Sequence, residues 1–231
     1  MISGQGLIVS EDVKAGTLLM ASKAYAIGSS SGIQDFSLLV CIDLITNTAN
    51  RSTQARCIVD AVQKLRRNPQ TAEEVYSLYA GEEDAERVPP PAGVIDSGRI
   101  ERIHCYNAFM PTPIPTNDDD HKQLERPEGG FLDTDPTGLW LLPSFFNHSC
   151  LGNVNRVFYG DMLFAYAICD LTKGEELTIP YSSPMQPYKS RVNYLNKWRF
   201  SCDCRLCQLD SADPGGEELR AELGKKIGNI K

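Results

Sequence analysis

The stretch SFFNHSC at residues 144–150 decides the fold that we expect for this chain, because two further stretches follow it in a definite order. The first of these is GEELTIPY at residues 174–181, a glycine turn and a short strand that end in a tyrosine. The second is WRFSCDCRLC at residues 198–207, which holds three closely spaced cysteines. The fold prediction depends on these three stretches and on their order along the chain.

The last stretch has the pattern Cys-x-Cys-x-x-Cys at Cys202, Cys204 and Cys207. Three thiolates this close can turn toward one ion, and tetrahedral zinc binds sulfur at about 2.3 Å, so a fourth ligand is needed. Cys150 stands out because it ends an irregular segment. The remaining candidates are Cys41, Cys57, Cys105 and Cys169, and a cysteine in an apolar segment usually packs as a small hydrophobic residue. The alternative is three unconnected thiols or a disulfide, which a reducing compartment disfavours.

The composition indicates a globular chain that stays outside the membrane. With 231 residues and 42% hydrophobic content, it can bury one core, or one core and a small satellite. Its best apolar run, residues 162–168, is too short for a membrane span of about 20 residues. The first residues lack the basic flank and long apolar segment of a secretory signal. We therefore expect no membrane partner and an intracellular location, in the nucleus, the cytoplasm or both.

The charge balance bears on the partners of the chain. Its formal net charge is -7 and its pI is near 5.0, which argues against broad binding to nucleic acid phosphates. An acidic surface suits a basic peptide, although the same charge also serves simply to keep a protein in solution. We expect no direct nucleic acid binding and a monomeric chain, while the sequence leaves the oligomeric state open.

Two parts of the chain alternate like short strands around turns. In the N-terminal part, the predicted β-segments are residues 7–9, 12–16, 17–20 and 24–27. In the C-terminal part, the predicted strands are residues 155–159, 162–168 and 176–179, with turns at Gly160 and Gly174. Small antiparallel ribbons are expected in both parts.

The region between these parts is expected to be helical over residues 33–80. Apolar residues at helical spacing from Ala55 to Leu65 predict a helix that stops near Asn68. Thr71 and Glu74 resemble a capping box that opens a short helix through residue 79. Other predicted helices cover residues 95–109, 190–198 and 217–231, and the polar residues 111–138 predict a long mobile loop.

Together with GQGL at residues 4–7 and a turn at residues 14–16, the three stretches resemble the SET-domain family of protein lysine methyltransferases. Their order is most similar to the SET and MYND group and to fungal proteins that couple a SET domain to tetratricopeptide repeats. The resemblance covers residues 4–27 and 94–208. It implies a mainly β fold with a helical insert (α+β), in which small β-sheets surround a pseudoknot and a zinc-bound post-SET segment follows.

The resemblance also implies a domain division. Residues 1–27 and 94–181 would form the two parts of the SET domain, and residues 28–93 would be the helical insert. Residues 182–208 would be the post-SET zinc-binding segment. Residues 209–231 would begin a further helical region, as expected if the chain were part of a longer protein.

The resemblance implies S-adenosylmethionine as the cofactor and one structural zinc ion. Cofactor contacts would come from Gly4, Gly6, Asn107, Asn147, His148, Tyr181 and Phe200. Cys150 would join Cys202, Cys204 and Cys207 as the fourth zinc ligand. Tyr181 would also be the catalytic residue, which orients a neutral lysine amine for in-line attack or polarises the methyl group. The partner would be a lysine-containing protein or peptide, a histone or another protein.

Several of these residues have ordinary explanations as well. Gly4 and Gly6 are equally typical of a turn. Asn107 is also suited to end a helix. A lone aromatic residue such as Phe200 is common in a hydrophobic core.

The sequence departs from the family pattern in three places. No MYND zinc finger is expected, because residues 33–93 hold only Cys41 and Cys57. Gly152 stands where the family often has proline, which would loosen the loop without removing its polar contacts. Ser182 follows the tyrosine in place of an acidic residue, which puts the substrate preference in question.

Three functions compete on this basis. The first is a methyltransferase acting on protein lysines, and the retention of Asn147, His148 and Tyr181 favours it. The second is a weak or inactive SET-fold binding module that keeps the zinc. The third is an interaction domain stabilised by zinc that has no cofactor site.

Overall fold

The computed structural model describes residues 5–29, 41–43, 48–50, 52–81, 88–111 and 135–228. The strands are β1 (Leu7–Ile8), β2 (Leu18–Lys23), β3 (Ala26–Gly28), β4 (Cys41–Asp43), β5 (Thr48–Asn50), β6 (Thr137–Leu139), β7 (Asn147–His148), β8 (Val154–Tyr159), β9 (Met162–Ala167) and β10 (Glu176–Ile179). The α-helices are α1 (Ser52–Arg67), α2 (Ala72–Tyr76), α3 (Ser97–Asn107), α4 (Tyr188–Leu195), α5 (Arg205–Ala212) and α6 (Pro214–Gly228). Short 3₁₀ turns cover Pro69–Thr71, Leu142–Phe145 and Asn196–Trp198.

The chain divides into two compact units. The first consists of the described residues within Met1–Leu19, Phe145–Asn155 and Ala165–Lys231. The second consists of those within Met20–Ser144 and Arg156–Phe164. Among the helices that the structure describes, none combines the length and the hydrophobicity needed to cross a bilayer.

A three-stranded sheet of order β1-β10-β7 organises the first unit. β10 pairs antiparallel with β1, with Leu7 opposite Leu177, and parallel with β7 on its other side. Its side chains alternate as the sequence predicted, so that Leu177 and Ile179 are buried. Other buried apolar residues of this unit include Val9, Phe146, Leu171 and Leu195. The observed bounds confirm the predicted strand at residues 176–179.

Two loop residues, Gly152 and Asn153, contact β10. Asn153 acts as a substitute for backbone pairing, because its Nδ2 donates to the carbonyl of Glu176 (2.8 Å) and its Oδ1 accepts from the N–H of Thr178 (2.8 Å). Gly152 approaches β10 so closely that a Cβ there would lie 2.6 Å from the carbonyl oxygen of Thr178 and 2.9 Å from the Cα of Ile179. The polar contacts are retained as expected, but the glycine packs tightly and does not loosen this loop.

We expect Gly152→Ala to lower the free energy of unfolding by roughly 1–3 kcal/mol, because the added methyl forces the β10 backbone to move. At this chain length the loss corresponds to about 2–4 °C in Tm per kcal/mol, measurable by thermal unfolding of the metal-loaded protein. Gly98→Ala in α3 is the matched control, since its nearest contact would be an ordinary 3.6 Å to a carboxylate oxygen of Asp96. Equal Tm values for the two variants would contradict the close packing at Gly152.

The second unit contains most of a sheet of order β2-β9-β8 and a β3-β6 pair against which α1 packs. Its core includes Trp140, which is fully buried and meets the rings of Phe109 and Phe158 edge-on. The indole N–H of Trp140 donates to the carbonyl of Asp161 (3.1 Å) in the turn between β8 and β9. The observed β8 and β9 confirm the predicted strands at residues 155–159 and 162–168 within one residue at each end.

The prediction that residues 33–80 are helical is wrong in part. β4 and β5 pair antiparallel, with Cys41 opposite Asn50 and Ile42 opposite Ala49, before α1 begins at Ser52. A short apolar run fits a helix and a strand equally well, so that strand pairing decides the outcome. Residues 33–40 and 44–47, which belong to the same predicted helical region, lie outside the described residues.

The predicted capping box is also wrong. Thr71 does precede α2, but its hydroxyl makes no cap bond and instead donates to the carbonyl of Asn68 (2.8 Å). The hydroxyl of Tyr25 lies 2.9 Å from Oγ1 of Thr71. Since the Thr71 proton is already used, Tyr25 is the donor there, and the threonine serves a tertiary contact. α2 ends at Tyr76, three residues before the predicted end.

The remaining predictions differ from the structure mainly at their ends. α3 covers most of the predicted helix at residues 95–109, and its first turn is capped by Asp96, which accepts from the N–H of Arg99 (2.9 Å). β6 occupies the end of the predicted loop at residues 111–138, of which residues 112–134 lie outside the described part. The predicted helix at residues 190–198 is α4 with its following 3₁₀ turn, whereas α5 was not predicted. α6 begins three residues before the predicted helix at 217.

Candidate active site and metal centre

The parallel pairing of β7 with β10 brings two of the three sequence stretches together. Asn147 lies opposite Thr178 and His148 lies opposite Ile179. The N–H of Ser149 continues the contact by donating to the carbonyl of Ile179 (3.2 Å). Tyr181 follows β10 after a single proline, so that the tyrosine and the Asn-His pair share one end of the sheet.

Asn147 is held on both sides. Its Nδ2 donates to the carbonyl of Gln5 (3.1 Å) and to Oε1 of Glu176 (2.6 Å). These bonds use both amide protons and leave the side-chain carbonyl as an acceptor. Gly6 lies against the same pair, because a Cβ there would be 2.6 Å from the Glu176 carboxylate and 2.7 Å from Nδ2 of Asn147. A residue larger than glycine would therefore displace both side chains.

His148 links the tyrosine to the cysteines. Its Nδ1 accepts from the backbone N–H of Tyr181 (3.0 Å), so this nitrogen carries no proton. The proton of the neutral ring is then on Nε2, which lies 3.3 Å from Sγ of Cys150 and donates to it. Burial, together with the positive charge of Arg191, lowers the pKa of His148 to about 4. The ring is therefore a neutral connector with a fixed tautomer.

The hydroxyl of Tyr181 donates to the backbone carbonyl of Phe146 (2.7 Å). This bond fixes the direction of the hydroxyl proton, so the oxygen meets any other group through its lone pairs. The ring of Tyr181 stacks at an angle on His148 at 5.1 Å and on Trp198 at 5.0 Å between centroids. The tyrosine is thus held on two faces and at its hydroxyl.

The third stretch supplies the aromatic side of the site. Arg199 has a left-handed backbone, with φ of 51°, which turns the chain after the 3₁₀ segment that ends at Trp198. Phe200 lies beyond this turn, half-buried, with its ring centroid 5.7 Å from that of His148. Phe200 therefore packs beside the Asn-His segment and does not sit in a core.

Cys150, Cys202, Cys204 and Cys207 form one cluster, in which the four sulfurs all lie within 4.8 Å of one another. The sulfur of Cys150 is 3.5 Å from that of Cys207 and 3.9 Å from that of Cys202. Four sulfurs bound tetrahedrally to zinc would be about 3.8 Å apart, given the usual Zn–S distance. The geometry and the donor set therefore fit a metal ion of this kind, and the four-cysteine cluster could hold one.

The electrostatics of the cluster favour a cation. Burial raises the pKa of the Cys150 thiol well above its ordinary value, as do its hydrogen bond with Cys207 and the charge of neighbouring thiolates. Burial would also raise the pKa of Cys204, but hydrogen bonds from the Cys207 N–H and the Cys202 thiol lower it to about 7. Four negative charges at this spacing repel one another, so a cation is required to keep all four deprotonated.

The other predicted residues lie elsewhere or outside the described part. Gly4 falls outside the described residues. Asn107 lies in the second unit, where its Nδ2 donates to the carbonyls of Ile103 and Tyr79, both at 2.7 Å. The first of these bonds ends α3, which is the helix-ending role that the sequence also allowed. The cofactor contact of Asn107 stays a prediction.

Sequence reasoning missed four residues that support this site. Glu176 lies in a recognised stretch and Asn153 lies beside one. Nothing in the sequence pattern indicated that the Glu176 side chain binds Asn147 or that the Asn153 side chain binds β10. Trp198 opens the third stretch, and its aromatic contacts could have been suspected from its place before Phe200. Arg191 carried no signal, because an arginine on a short helix is usually exposed.

Comparison with known proteins adds three relatives. A protein named "Methyltransferase" from Gibberella zeae is 30% identical over 215 residues, which are 88% of this chain and 29% of that protein. The "Protein-lysine N-trimethyltransferase SMYD5" of Mus musculus is 29% identical, over 60% of this chain and 39% of its own. The "Histone-lysine N-methyltransferase SMYD3" of Homo sapiens is 34% identical, over 41% of this chain and 23% of its own. The chain thus spans less than half of the length of each relative.

The family model of the SET domain matches residues 4–182, which is well over half of the chain. This match includes the N-terminal glycines, the Asn-His segment and the tyrosine, and it confirms the resemblance that the three stretches indicated. The small β-sheets joined by helices confirm the expected fold class. This chain belongs to the SET domain family.

Proposed function

We propose that this chain is a protein-lysine N-methyltransferase that takes its methyl group from S-adenosylmethionine. The observation that carries the proposal is the grouping of Asn147, His148, Tyr181 and Phe200 around the β7-β10 pair, with each side chain fixed by a named contact. The relatives named protein-lysine and histone-lysine methyltransferases support the same reaction class.

The cofactor would lie along the Asn-His segment. When bound, S-adenosylmethionine supplies a methyl group carried on a positively charged sulfonium. The side-chain carbonyl of Asn147 is suited to accept from the cofactor's ammonium group, and Gly6 leaves room for the side chains of Asn147 and Glu176. Phe200 offers a ring face for the adenine, since aromatic groups favour offset or edge contacts. These residue types fit a cofactor with an ammonium, a carboxylate and a planar base.

The residues around Tyr181 would position the lysine. Because the hydroxyl donates to Phe146, its oxygen can accept a hydrogen from the amine and hold the nitrogen lone pair on the line of attack. Such alignment supplies much of the rate of a two-reactant displacement. The amine must be neutral, and its solution pKa of about 10.4 should fall when the side chain leaves water. Ser182 follows Tyr181, and we include in this proposal that Ser182 contributes to the substrate preference.

Zinc would be bound by Cys150, Cys202, Cys204 and Cys207 as a structural ion. A tetrathiolate site of this type leaves no open position for substrate, so its contribution is to folding. It would tie the post-SET segment at residues 182–208 to the Asn-His segment and so place Phe200, which lies two residues before Cys202. The proposal also includes the domain boundaries expected from the sequence, which fall after residues 27, 93, 181 and 208.

The substrate would be a lysine-containing protein, and the net charge of -7 suits a basic region around the target lysine. The test is incubation of the zinc-loaded protein with methyl-labelled S-adenosylmethionine and a cell extract. We expect label in protein, and mass spectrometry should locate it on a lysine side chain. Cofactor binding without transfer to any extract would instead support a binding module, and no cofactor binding would support a zinc-stabilised interaction domain.

We expect Phe200→Ala to weaken S-adenosylmethionine binding by about 2- to 10-fold, because it removes an aromatic contact of roughly 0.5–1.5 kcal/mol. Isothermal calorimetry on the zinc-loaded protein measures the change. Phe200→Tyr keeps the ring and should bind as the wild type does. Tyr194→Ala is a second control, since the ring of Tyr194 packs on Trp198 and is 46% exposed. An unchanged Kd for a folded Phe200→Ala protein would remove this residue from the cofactor site.

A further inference from the structure

Arg191 of α4 is a fully buried cation beside the cysteine cluster. Its residue exposure is 0%, and its guanidinium donates to the carboxylate of Asp210 (2.6 Å) and to the carbonyl of Gln186 (2.6 Å). The same Nη2 that meets Asp210 lies 3.8 Å from Sγ of Cys207. Within the described part of the chain, its Nε has no hydrogen-bond partner. The arginine therefore faces a carboxylate on one side and a sulfur on the other.

Stability alone does not explain this arrangement. Removing a guanidinium and a carboxylate from water costs several kcal/mol per ion, and their mutual attraction often no more than offsets that cost. A pair of well-packed apolar residues of the same volume would hold α4 against α5 at least as well. The feature that an apolar pair could not reproduce is a positive charge and an N–H donor directed at the sulfur of Cys207.

A metal centre would explain the positive charge of Arg191 at this position. Four thiolates around one divalent cation keep two net negative charges in a partly buried place, which is unfavourable unless donors surround the sulfurs. A cationic donor at a sulfur lowers that penalty more than a neutral one, because charged hydrogen bonds are about twice as strong. Asp210 fixes the direction of the guanidinium, and Gln186 connects it to the segment that follows Tyr181.

We propose that Arg191 is a positioning residue of the metal centre, which stabilises the metal-bound thiolates by donating to Cys207 while Asp210 holds it in place. The inference rests on the proposed zinc site and adds a residue outside the ligand set. Groups of this kind, beyond the ligands themselves, typically change metal affinity by about 10- to 100-fold when they are altered.

The experiment compares two variants that break the same ion pair. In Arg191→Met the charge and the donor are lost, whereas in Asp210→Asn the arginine remains and its partner still offers an acceptor. Zinc affinity is measured by competition with a chromophoric chelator on the metal-loaded proteins. We expect about 10- to 100-fold weaker zinc binding for Arg191→Met and a value close to the wild type for Asp210→Asn.

Cobalt(II) substitution gives a readout that a merely structural role would not change. A cationic donor lowers the energy of the sulfur lone pairs, so its removal should shift the sulfur-to-cobalt charge-transfer band to longer wavelength. We expect this shift in Arg191→Met and a smaller one in Arg191→Lys, because the shorter lysine side chain places its ammonium about one bond short of the position that Nη2 occupies beside Asp210 and Cys207. The Arg191→Lys variant decides the question if Arg191→Met does not fold.

Two results would overturn the inference. The first is equal loss of zinc affinity in Arg191→Met and Asp210→Asn with an unshifted cobalt band, which would assign Arg191 to helix packing alone. The second is an unshifted band in Arg191→Lys. A wild-type protein that binds neither zinc nor cobalt would instead refute the proposed metal site, so the two failures are distinguishable.

Discussion

Cys204→Ser is expected to weaken zinc binding by more than about 100-fold, beyond the 10- to 100-fold typical of groups around the ligands. Serine keeps its proton at neutral pH and offers zinc no thiolate, so the ion loses one of its four bonds. Because a structural site and the surrounding fold form together, the segment from Phe200 to Cys207 should lose its order as well. Metal analysis and chelator competition measure the first effect, and cofactor calorimetry measures the second.

Cys150→Ser and Cys169→Ser sharpen this test. Cys150 is the proposed ligand that is distant in sequence, and its replacement should match Cys204→Ser in zinc content and affinity. Cys169 is exposed and lies outside the cluster, so its replacement should leave both unchanged. Full zinc affinity in Cys150→Ser, with loss in Cys204→Ser, would show that the fourth ligand is a different residue.

Three strands, β8, β9 and β10, could be predicted because their signals are local. β10 alternates between half-buried and buried residues over four positions and follows Gly174, whose φ of 86° marks the turn. β9 alternates in the same way, and β8 alternates between exposed and less exposed residues; the two strands lie on either side of Gly160, with φ of 58°. A period of two between turn glycines is sufficient evidence for a strand. The partner of each strand is not encoded locally, and the parallel β7-β10 pair was not predicted.

The elements that were missed depend on contacts between distant residues. β4 and β5 are three residues each, too short to show a period, and they exist through pairing with each other. The Thr71 hydroxyl matched a capping pattern but bonds to Asn68 and meets Tyr25. Local pattern reasoning cannot rank a cap against a tertiary hydrogen bond, since both satisfy the same hydroxyl.

The site shows the same contrast. The Cys-x-Cys-x-x-Cys spacing indicates a metal site by itself, and Cys150 joins it from 52 residues away in sequence. The bond from the Tyr181 hydroxyl to the Phe146 carbonyl has no sequence signature, because a backbone acceptor is present at every residue. Arg191 is similar: its burial depends on Asp210, 19 residues later on another helix.

We expect Tyr181→Phe to lower kcat by about 10- to 100-fold while S-adenosylmethionine affinity and zinc content stay near wild type. The substitution deletes the oxygen proposed to accept from the amine, and a hydrogen bond to a charged or developing-charge group contributes roughly 1.5–3 kcal/mol. The same change leaves the carbonyl of Phe146 without its donor, so a stability loss of about 0.5–1.5 kcal/mol should accompany it. Initial rates with labelled cofactor and calorimetry separate the two effects.

Tyr194→Phe is the matched control, because it makes the same chemical change in a ring that packs on Trp198 and is partly exposed. It should leave both kcat and cofactor affinity unchanged. If the Tyr181 oxygen acts mainly in the transition state, its loss should lower kcat and kcat/KM together and leave cofactor binding intact. A Tyr181→Phe protein with the wild-type rate and a lowered Tm would show that the hydroxyl serves only to bind Phe146. Because the hydroxyl proton is committed to that carbonyl, a loss of rate would assign the remaining lone pairs to the amine.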